Sequence, residues 1–501
     1  MKKPCFALLA LMLWTAAAAR AQFTCSTNAD NTLTILAYAG PGGVVSIPAS
    51  IGGLAVADIG TNAFAGSSLA AAAIPNGVKN IEDFAFSQCA QLTNAVLPPS
   101  LINIASGAFH ACTNLAGIQI PAGVTNIGDL AFTYCSSLSS LAIPGSVGRV
   151  GQAAFQACAN LTNITLAAGI GSLADDAFLG CSSLVHVGIP GSVTNIGQSV
   201  FQGCANLQTA HIGAGVPMIG TEMFASCASL RAIVIGDSVT NIGAYAFAGA
   251  GLGKVTIPAS VAGIESGAFS GTRLANVAIS ASVTSIGPNA FCICSNLAGI
   301  TVASSNLFYG SVGGVLFDAS QSTLIQYPAG LNAGGIYAIP GSVINIGPSA
   351  FAGCGLANIR IPSGVNNIDE DAFHECSGLG ILFFEGNAPA TEPASFETGT
   401  GTVIYYLPGA AGWSSPFGGL AALLWNPAIQ TGSADFGASG GQFGFDITGT
   451  AGIKVAVQAS ANLASPAWLP LGTAALAGGL YHFSEPLLTN SAGRFYRLSP
   501  P

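Results

Sequence analysis

TNIGDLAFTYCSSLSSLAIPGSV, residues 125–147, is followed at once by GRVGQAAFQACANLTNITLAAGI, residues 148–170, and the two align without a gap. Ala131-Phe132 meets Ala154-Phe155, Cys135 meets Cys158, and Leu138 meets Leu161. Aligned on that Ala-Phe pair the chain holds thirteen copies. Their aromatics are Phe64, Phe86, Phe109, Phe132, Phe155, Phe178, Phe201, Phe224, Phe247, Phe269, Phe291, Phe351 and Phe373, with Val200 and Met223 each replacing an Ala. Successive gaps are 22 or 23 residues, except one of 60 between Phe291 and Phe351. A fixed period in the twenties marks a solenoid, in which each unit buries its apolar face only by stacking on the next.

Within one unit the stretch L-x-x-I-x-I-P, as in Leu115 to Pro121, alternates and reads as a short strand that Pro ends, since Pro cannot donate to a sheet ladder. V-x-x-I-G then turns the chain, with Gly supplying a positive φ. A-F-x-x-C, as in Ala131 to Cys135, reads as one or two tight helical turns that drive Phe into the core. The whole pattern I-P-x-S-V-x-x-I-G-x-x-A-F-x-x-C-x-x-L resembles the BspA-type leucine-rich repeat of bacterial surface proteins, over about residues 44–385. That resemblance implies a right-handed solenoid used for recognition or adhesion, without specifying a ligand. GGVLFDASQSTLIQYP, residues 313–328, reads as a hairpin inserted between rungs near 304–338, with its polar turn at Ser320-Gln321-Ser322. The expected fold is a β-rich leucine-rich-repeat solenoid, one short strand and one short helical turn per 22–23-residue rung, followed by a small antiparallel β-sandwich.

Composition narrows the function. Charged residues are 7% of the chain and apolar residues 50%, so a core is affordable while a charged surface is not. Mean hydropathy is +0.60. Beyond the first twenty residues, Gly, Asn, Ser or Pro interrupts every apolar run before about 18 residues, so no membrane-spanning segment is expected in the mature chain. Lys2 and Lys3, the apolar stretch Phe6 to Trp14, and Ala19-Arg20-Ala21 read as a secretory signal peptide, residues 1–21. Cys5 lies inside it without the flanking residues of a lipidation site. The mature chain then carries nine basic residues against 21 acidic ones, which excludes a nucleic-acid groove built on clustered Lys and Arg.

Cys89, Cys112, Cys135, Cys158, Cys181, Cys204 and Cys227 are spaced 23 apart, and Cys294, Cys354 and Cys376 continue the column. Stacked rungs bring such residues within disulfide distance, but their Cβ vectors run parallel, and Ala250 and Thr272 fill the same slot. The column therefore reads as a buried, reduced ladder of small side chains. Cys25 and Cys292 lie outside it and are the expected reactive thiols. No C-x-x-C pair with nearby His offers a zinc site, so no metal is expected there. His110 and His374 follow the Phe of their units and are expected at solvent. His186 and His211 fall on adjacent strands, and His482 lies near the C-terminus. None has the Ser or Cys and Asp partners of a catalytic triad. Asp369-Glu370-Asp371 lacks the D-x-D-x-D-G form of a calcium loop and reads as a solvated turn. GASGGQFG has neither the flanking elements nor the Lys of a phosphate loop. No cofactor is implied and no enzymatic activity is expected.

The candidate binding face is the outward position of the strands, the x of I-x-I-P. It runs Ala73, Val96, Gln119, Ala142, Thr165, Gly188, His211, Val234, Thr256, Ala278, Thr301, Ala338, Arg360. Gln119, Thr165, His211, Thr256, Thr301 and Arg360 carry its hydrogen-bonding capacity. A strip so small and neutral suits an extracellular protein or polysaccharide ligand better than a charged one. An Asn column (Asn80, Asn103, Asn126, Asn195, Asn241, Asn345) is expected to satisfy turn backbone groups.

A solenoid needs capped ends. Residues 22–43 are read as the N-terminal cap, 44–385 as the repeat array, 386–427 as the C-terminal cap, where the period dissolves after Leu379, and 428–501 as a β-sandwich module. SAGRFYRLSPP and VQASANLASPAWLPLG near its end resemble a C-terminal β-module recurrent in secreted proteins of bacteria of the Verrucomicrobia type, which implies attachment, sorting or accessory binding. Two functions compete: a secreted or cell-surface adhesin working through the strand face, and an architectural envelope spacer carrying an attachment module. A glycan-cleaving enzyme would need a carboxylate pair in a cleft, which the scattered acidic residues do not suggest.

Overall fold

The computed structural model describes residues 22–332, 334–392, 394–487 and 493–500; the expected leader, residues 1–21, lies outside them. The chain forms two compact units, residues 1–313 and 314–501. In the first, strand Phe23–Thr27 pairs antiparallel with Leu33–Tyr38, which pairs parallel with Leu54–Ile59. From there a ladder of two-residue parallel strands climbs through Asn80–Ile81, Asn103–Ile104, Asn126–Ile127, Arg149–Val150, Ser172–Leu173 and Asn195–Ile196. A second ladder of the same kind joins Met218–Ile219, Asn241–Ile242, Gly263–Ile264 and Ser285–Ile286. On the other wall of each rung lie longer parallel strands. Ser140–Ile143, Asn163–Leu166, His186–Ile189, Thr209–Ile212 and Ala232–Val234 form one five-stranded sheet.

The Ala-Phe arc between the two walls is not helical, contrary to its sequence reading. Alternate N–H groups are spent on the next rung: Leu130 N donates to Gln152 O, Phe132 N to Ala154 O, and Tyr134 N to Gln156 O, at 2.7–2.9 Å. The residues between them close i→i+3 turns, Thr133 N to Leu130 O and Cys135 N to Phe132 O, both 3.1 Å. Two left-handed residues bracket the Phe, Leu130 at φ 59° and Tyr134 at φ 62°, and other units repeat this at Ala153 and Ala157 or Glu222 and Ser226. Left-handed backbone every four residues forbids an α-helix. It costs roughly 1 kcal/mol or more at each non-Gly position, offset by the rung-to-rung bonds it aims. Gly of the N-I-G turn serves another purpose than the expected positive φ. A Cβ on Gly128 would sit 2.6 Å from the Ala105 carbonyl carbon, and on Gly151 2.4 Å from that of Gly128, so backbone approach requires it. Pro closes some of the strands as expected, Pro144 after Ser140–Ile143 and Pro190 after His186–Ile189, whereas Ala167 and Gly213 follow Asn163–Leu166 and Thr209–Ile212. The carbonyl of such a Pro accepts from the Val three residues on, as Pro144 from Val147 at 3.1 Å.

The core is a spine of stacked rings. Phe109, Phe132, Phe155 and Phe178 follow one another at centroid distances of 5.1–5.3 Å and within 7° of parallel. Each ring is fully buried, worth about 1.5–3 kcal/mol by transfer alone. The spine starts earlier than the repeat count, at Tyr38, stacked 5.1 Å from Phe64. The last rung of the first unit is closed by buried Asn306, which donates to Ser280 O and Val283 O and accepts from Phe308 N and Tyr309 N.

In the second unit, Val315–Asp318 and Thr323–Gln326 form the expected hairpin. Asp318 organises its turn: Thr323 N donates to Oδ1 at 2.7 Å, and Ser320 and Ser322 donate to Oδ2. The hairpin is not merely inserted. Its second strand pairs with Asn345–Ile346, and Tyr327 takes the spine position, 5.3 Å from Phe351. Periodicity also outlasts Leu379, because Phe396 stacks on Phe373 at 5.7 Å and 4°. The strand wall runs Ile336–Ala338, Asn358–Ile361, Ile381–Phe384, Val403–Tyr406, Ala421–Leu424, all parallel. Two antiparallel sheets follow. One is built on Gln442–Thr448 with Leu480–Pro486, the other on Lys454–Ser460 with Leu469–Ala475 and Phe495–Ser499. Phe445, Ile447, Val455, Val457 and Phe483 fill the core of this module. Among the described residues no helix is long and apolar enough to cross a membrane.

Candidate binding face

Strand alternation points Leu141, Ile164, Val187 and Ala210 inward and their neighbours outward. Ala142 lies in register with Thr165, and Gly188, His211 and Val234 are aligned on successive strands. All five are exposed, Val234 to 58%. A second exposed column runs beside them, Ser140, Asn163, His186, Thr209 and Ala232. The sequence reading singled out only the first, although period-two alternation carries both. None of these strand residues is Asp, Glu, Lys or Arg. Hydrogen-bonding capacity is therefore held by side chains such as His186, whose Nδ1 lies 2.7 Å from Thr209 Oγ1.

The six predicted residues do not form one continuous strand face. Thr165 and His211 share the five-stranded sheet, and Thr301 lies on the pair Asn276–Ile279 with Gly299–Val302, its hydroxyl donating to Val277 O at 3.3 Å. Gln119 and Thr256 are exposed but lie outside any strand. Their rungs open on Gly117 and Gly253, which weaken pairing, and a single bridge from Asn94 to Gly117 is what remains of the first. Arg360, in the second unit, is committed to Glu385 by an ion pair and lies 5.6 Å above the ring of Phe383.

The thiol column is buried and unoxidised. It also makes a contact the sequence did not suggest. Apart from Cys354, whose Sγ lies 3.3 Å from Cys376 Sγ, each Sγ of the column donates to the carbonyl of the preceding rung's Phe, as Cys135 to Phe109 at 3.2 Å and Cys181 to Phe155 at 3.2 Å. Burial pushes the thiols of Cys135, Cys181 and Cys227 up to about 12, so they are neutral and unreactive. Cys292 is also buried, 6% exposed, so it is not the accessible thiol expected. Cys25 is half-buried and its thiol is likewise raised by desolvation. The Asn column bonds side chains of adjacent rungs more than turn backbone: Asn126 Nδ2 donates to Asn103 Oδ1 at 2.9 Å, and Asn80 Nδ2 to Asp58 Oδ1 at 2.7 Å. Adjacent strands place these amides face to face. His110 is half-buried, its ring edge-on to Phe84 and Tyr134, rather than free at solvent.

At one place the outward position is covered. Phe383 pairs with Arg360 on one side and Tyr405 on the other, and both aromatics are buried in a cluster with Phe445, Ile447 and Phe483 of the C-terminal module. The Tyr405 hydroxyl accepts from Lys454 N at 2.9 Å, and Trp425 Nε1 donates to Lys454 O at 3.2 Å. The module thus docks on the strand wall of its own unit.

Comparison with known proteins agrees with this architecture. A family model described as the BspA type leucine rich repeat region, of six repeat copies, matches residues 57–185, 125–251, 217–338 and 336–407. A leucine-rich repeat protein from Bacteroides ovatus is similar in structure with a TM-score of 0.54 and 22% identity, over 81% of this chain and 98% of that one. A leucine rich repeat protein from T. pallidum is 35% identical over 37% of this chain and 88% of its own, with a TM-score of 0.35. A leucine rich cell surface protein from Faecalibacterium prausnitzii is 23% identical over 79% of this chain and 94% of its own, with a TM-score of 0.34. No curated protein gives a significant match. With the family match spanning residues 57–407, well over half its length, the chain belongs to the BspA-type leucine-rich repeat family.

Proposed function

We propose that this is an exported, non-catalytic recognition protein whose outward strand columns bind an extracellular protein or polysaccharide. The observation that carries the reading is the docking of the C-terminal module on Phe383 and Tyr405, since it makes the strand wall a surface on which another folded element already sits in this chain. The five-stranded sheet offers the same wall uncovered, with hydroxyl, amide and imidazole groups in two parallel columns and no charge to desolvate. Neutral hydrogen-bonding rows over a flat sheet suit a partner read by shape and polar contacts. Export is supported by the basic, apolar and small-residue order of residues 1–21.

The test is a binding screen of the chain lacking residues 1–21 against extracellular matrix proteins and polysaccharides, with Thr165→Glu and His211→Glu as the control. Both sites are exposed, so stability should change by less than about 0.5 kcal/mol. Saturable binding lost in the double variant supports the reading. Binding that survives the substitutions places recognition elsewhere. An architectural spacer would show no saturable ligand but would lose surface retention on removal of residues 428–501.

A further inference from the structure

In a chain with 21 acidic residues, Asp369, Glu370, Asp371 and Glu375 crowd into seven positions, and Glu397 lies one rung on. Asp371 and Glu375 are the two left-handed residues that bracket Phe373, at φ 56° and 55°, and His374 N closes the turn onto Asp371 O at 2.9 Å. That turn sets Asp371 and His374 on one side. Stacking of Phe396 on Phe373 brings Glu397, the residue after its Phe, alongside His374, the residue after its own. One ligand atom from each of Asp371, His374 and Glu397 lies within 4.8 Å of the others. The His374 side chain is 37% exposed, but its Nδ1 is enclosed and has no hydrogen-bond partner among the described residues, with Glu397 Oε2 3.5 Å away. An enclosed ring nitrogen in that condition requires an explanation.

The geometry points to a zinc-class divalent cation held by Asp371, His374 and Glu397. In a tetrahedral zinc site with bonds of about 2.0–2.1 Å, ligand atoms stand roughly 3.3 Å apart, close to the Nδ1–Oε2 separation. One imidazole and two carboxylates select zinc, or its Mn, Co and Ni neighbours, over calcium. Glu375 Oε1 lies 3.7 Å from His374 Nε2, beyond hydrogen-bonding distance but close enough for its charge to favour the tautomer protonated at Nε2, which leaves the Nδ1 lone pair for a metal. Three protein ligands, with Glu397 exposed, leave a coordination position for water or for an oxygen of a bound molecule. The alternative is a protonated His374 paired with both glutamates. It would leave the enclosed Nδ1–H without an acceptor in hydrogen-bonding geometry.

The experiment is calorimetric titration of the metal-stripped chain lacking residues 1–21 with ZnCl2, repeated with CoCl2 while visible absorption is followed. Expected are one equivalent of Zn2+ and a cobalt spectrum without thiolate charge transfer. Binding should be lost in His374→Gln and in Glu397→Gln, weakened about 10-fold in Glu375→Gln, and kept in His482→Gln. The last variant controls for a second cluster, Asp435, Asp446 and His482, where His482 Nδ1 is already hydrogen-bonded to Asp446 at 2.9 Å. Glu397 is exposed, so its variant carries the test if His374→Gln does not fold. No saturable uptake overturns the site, as do uptake unchanged by the Glu397 variant, loss confined to His482→Gln, or a thiolate spectrum.

Discussion

The outward strand position is filled in two different ways in this protein. From Ser140 to Val234 it holds Ala142, Thr165, Gly188, His211 and Val234, open to solvent. At Ile381–Phe384 and Val403–Tyr406 it holds Phe383 and Tyr405, buried against the C-terminal module. The inward positions barely differ between the two regions: apolar strand residues, a Phe spine and a turn closed by i→i+3 bonds. The rung therefore sets no requirement of its own on the outward residue; what covers that residue does. Large apolar side chains there mark a partner built into the chain, and small neutral ones mark a surface that stays wet until a partner arrives.

The largest consequence lies on the covered side. Phe383→Ala should cost about 3–5 kcal/mol and release the module, since it opens a cavity in a docked interface. Limited proteolysis would then cut near residues 425–430 with the rungs intact. If Phe383→Ala leaves the module as resistant as before, the contact is not what holds it.

A second expectation concerns the inner column behind the exposed sheet. The thiols of Cys135, Cys181 and Cys227 ordinarily ionise near 9 but are held at about 12 by burial. Their folded values are raised, so their contribution is complete below pH 9 and is lost as pH rises toward 12. Each should remove about 1.4 kcal/mol per pH unit in that window. Urea midpoints at pH 8 and pH 10 will show a steep alkaline fall, which Cys→Ala at these three positions should flatten. Singly, Cys181→Ala should cost about 1 kcal/mol at neutral pH, through the lost Sγ–H bond to Phe155 O and a small void. Its unfolding midpoint at pH 7 would read that. Smallest is Arg360→Ala at the border of the covered region. With the Arg360 side chain 54% exposed, its pair with Glu385 is worth less than about 1 kcal/mol. A larger loss in melting temperature would show that Arg360 shields Phe383 as well as pairing Glu385.

What was legible in the sequence is what repeats. The Phe and Cys columns, the Pro-closed strand and the outward row could be read because the same residue types return every 22 or 23 positions. The left-handed pair around each Phe was missed, although Gly or Asn stands there in several units, as at Asn62, Gly66, Gly107, Gly180, Gly203 and Gly267. Phe84, Leu130, Tyr134 and Glu222 at the equivalent positions obscure that signal, because neighbouring rungs impose the same backbone on them. Tyr327 and Phe396 were missed as spine residues since each lacks its Ala partner and the following Cys. With Phe396 not recognised as a spine residue, although it falls 23 residues after Phe373, Glu397 was not placed beside His374. Thr165 and His211 lie on paired strands as expected, whereas the loss of pairing at Gln119 and Thr256 was not read from Gly117 and Gly253, because Gly188 and Gly299 lie within strands that do pair.

The rung-to-rung hydrogen bonds have a mechanical consequence. Phe132 N reaches forward to Ala154 O and Phe155 N to Ala177 O, while the Cys Sγ bonds run along the same axis in the opposite sense, as Cys158 Sγ back to Phe132 O. These bonds lie along the axis on which rungs stack, so tension on a free end within a unit loads the terminal rung alone while its neighbours stay unstrained. Such a chain yields like a zip rather than a rope. Each yielded rung of 23 residues releases roughly 80 Å of slack. A surface tether built this way would dissipate a pull in equal, repeatable steps before its innermost rungs feel it.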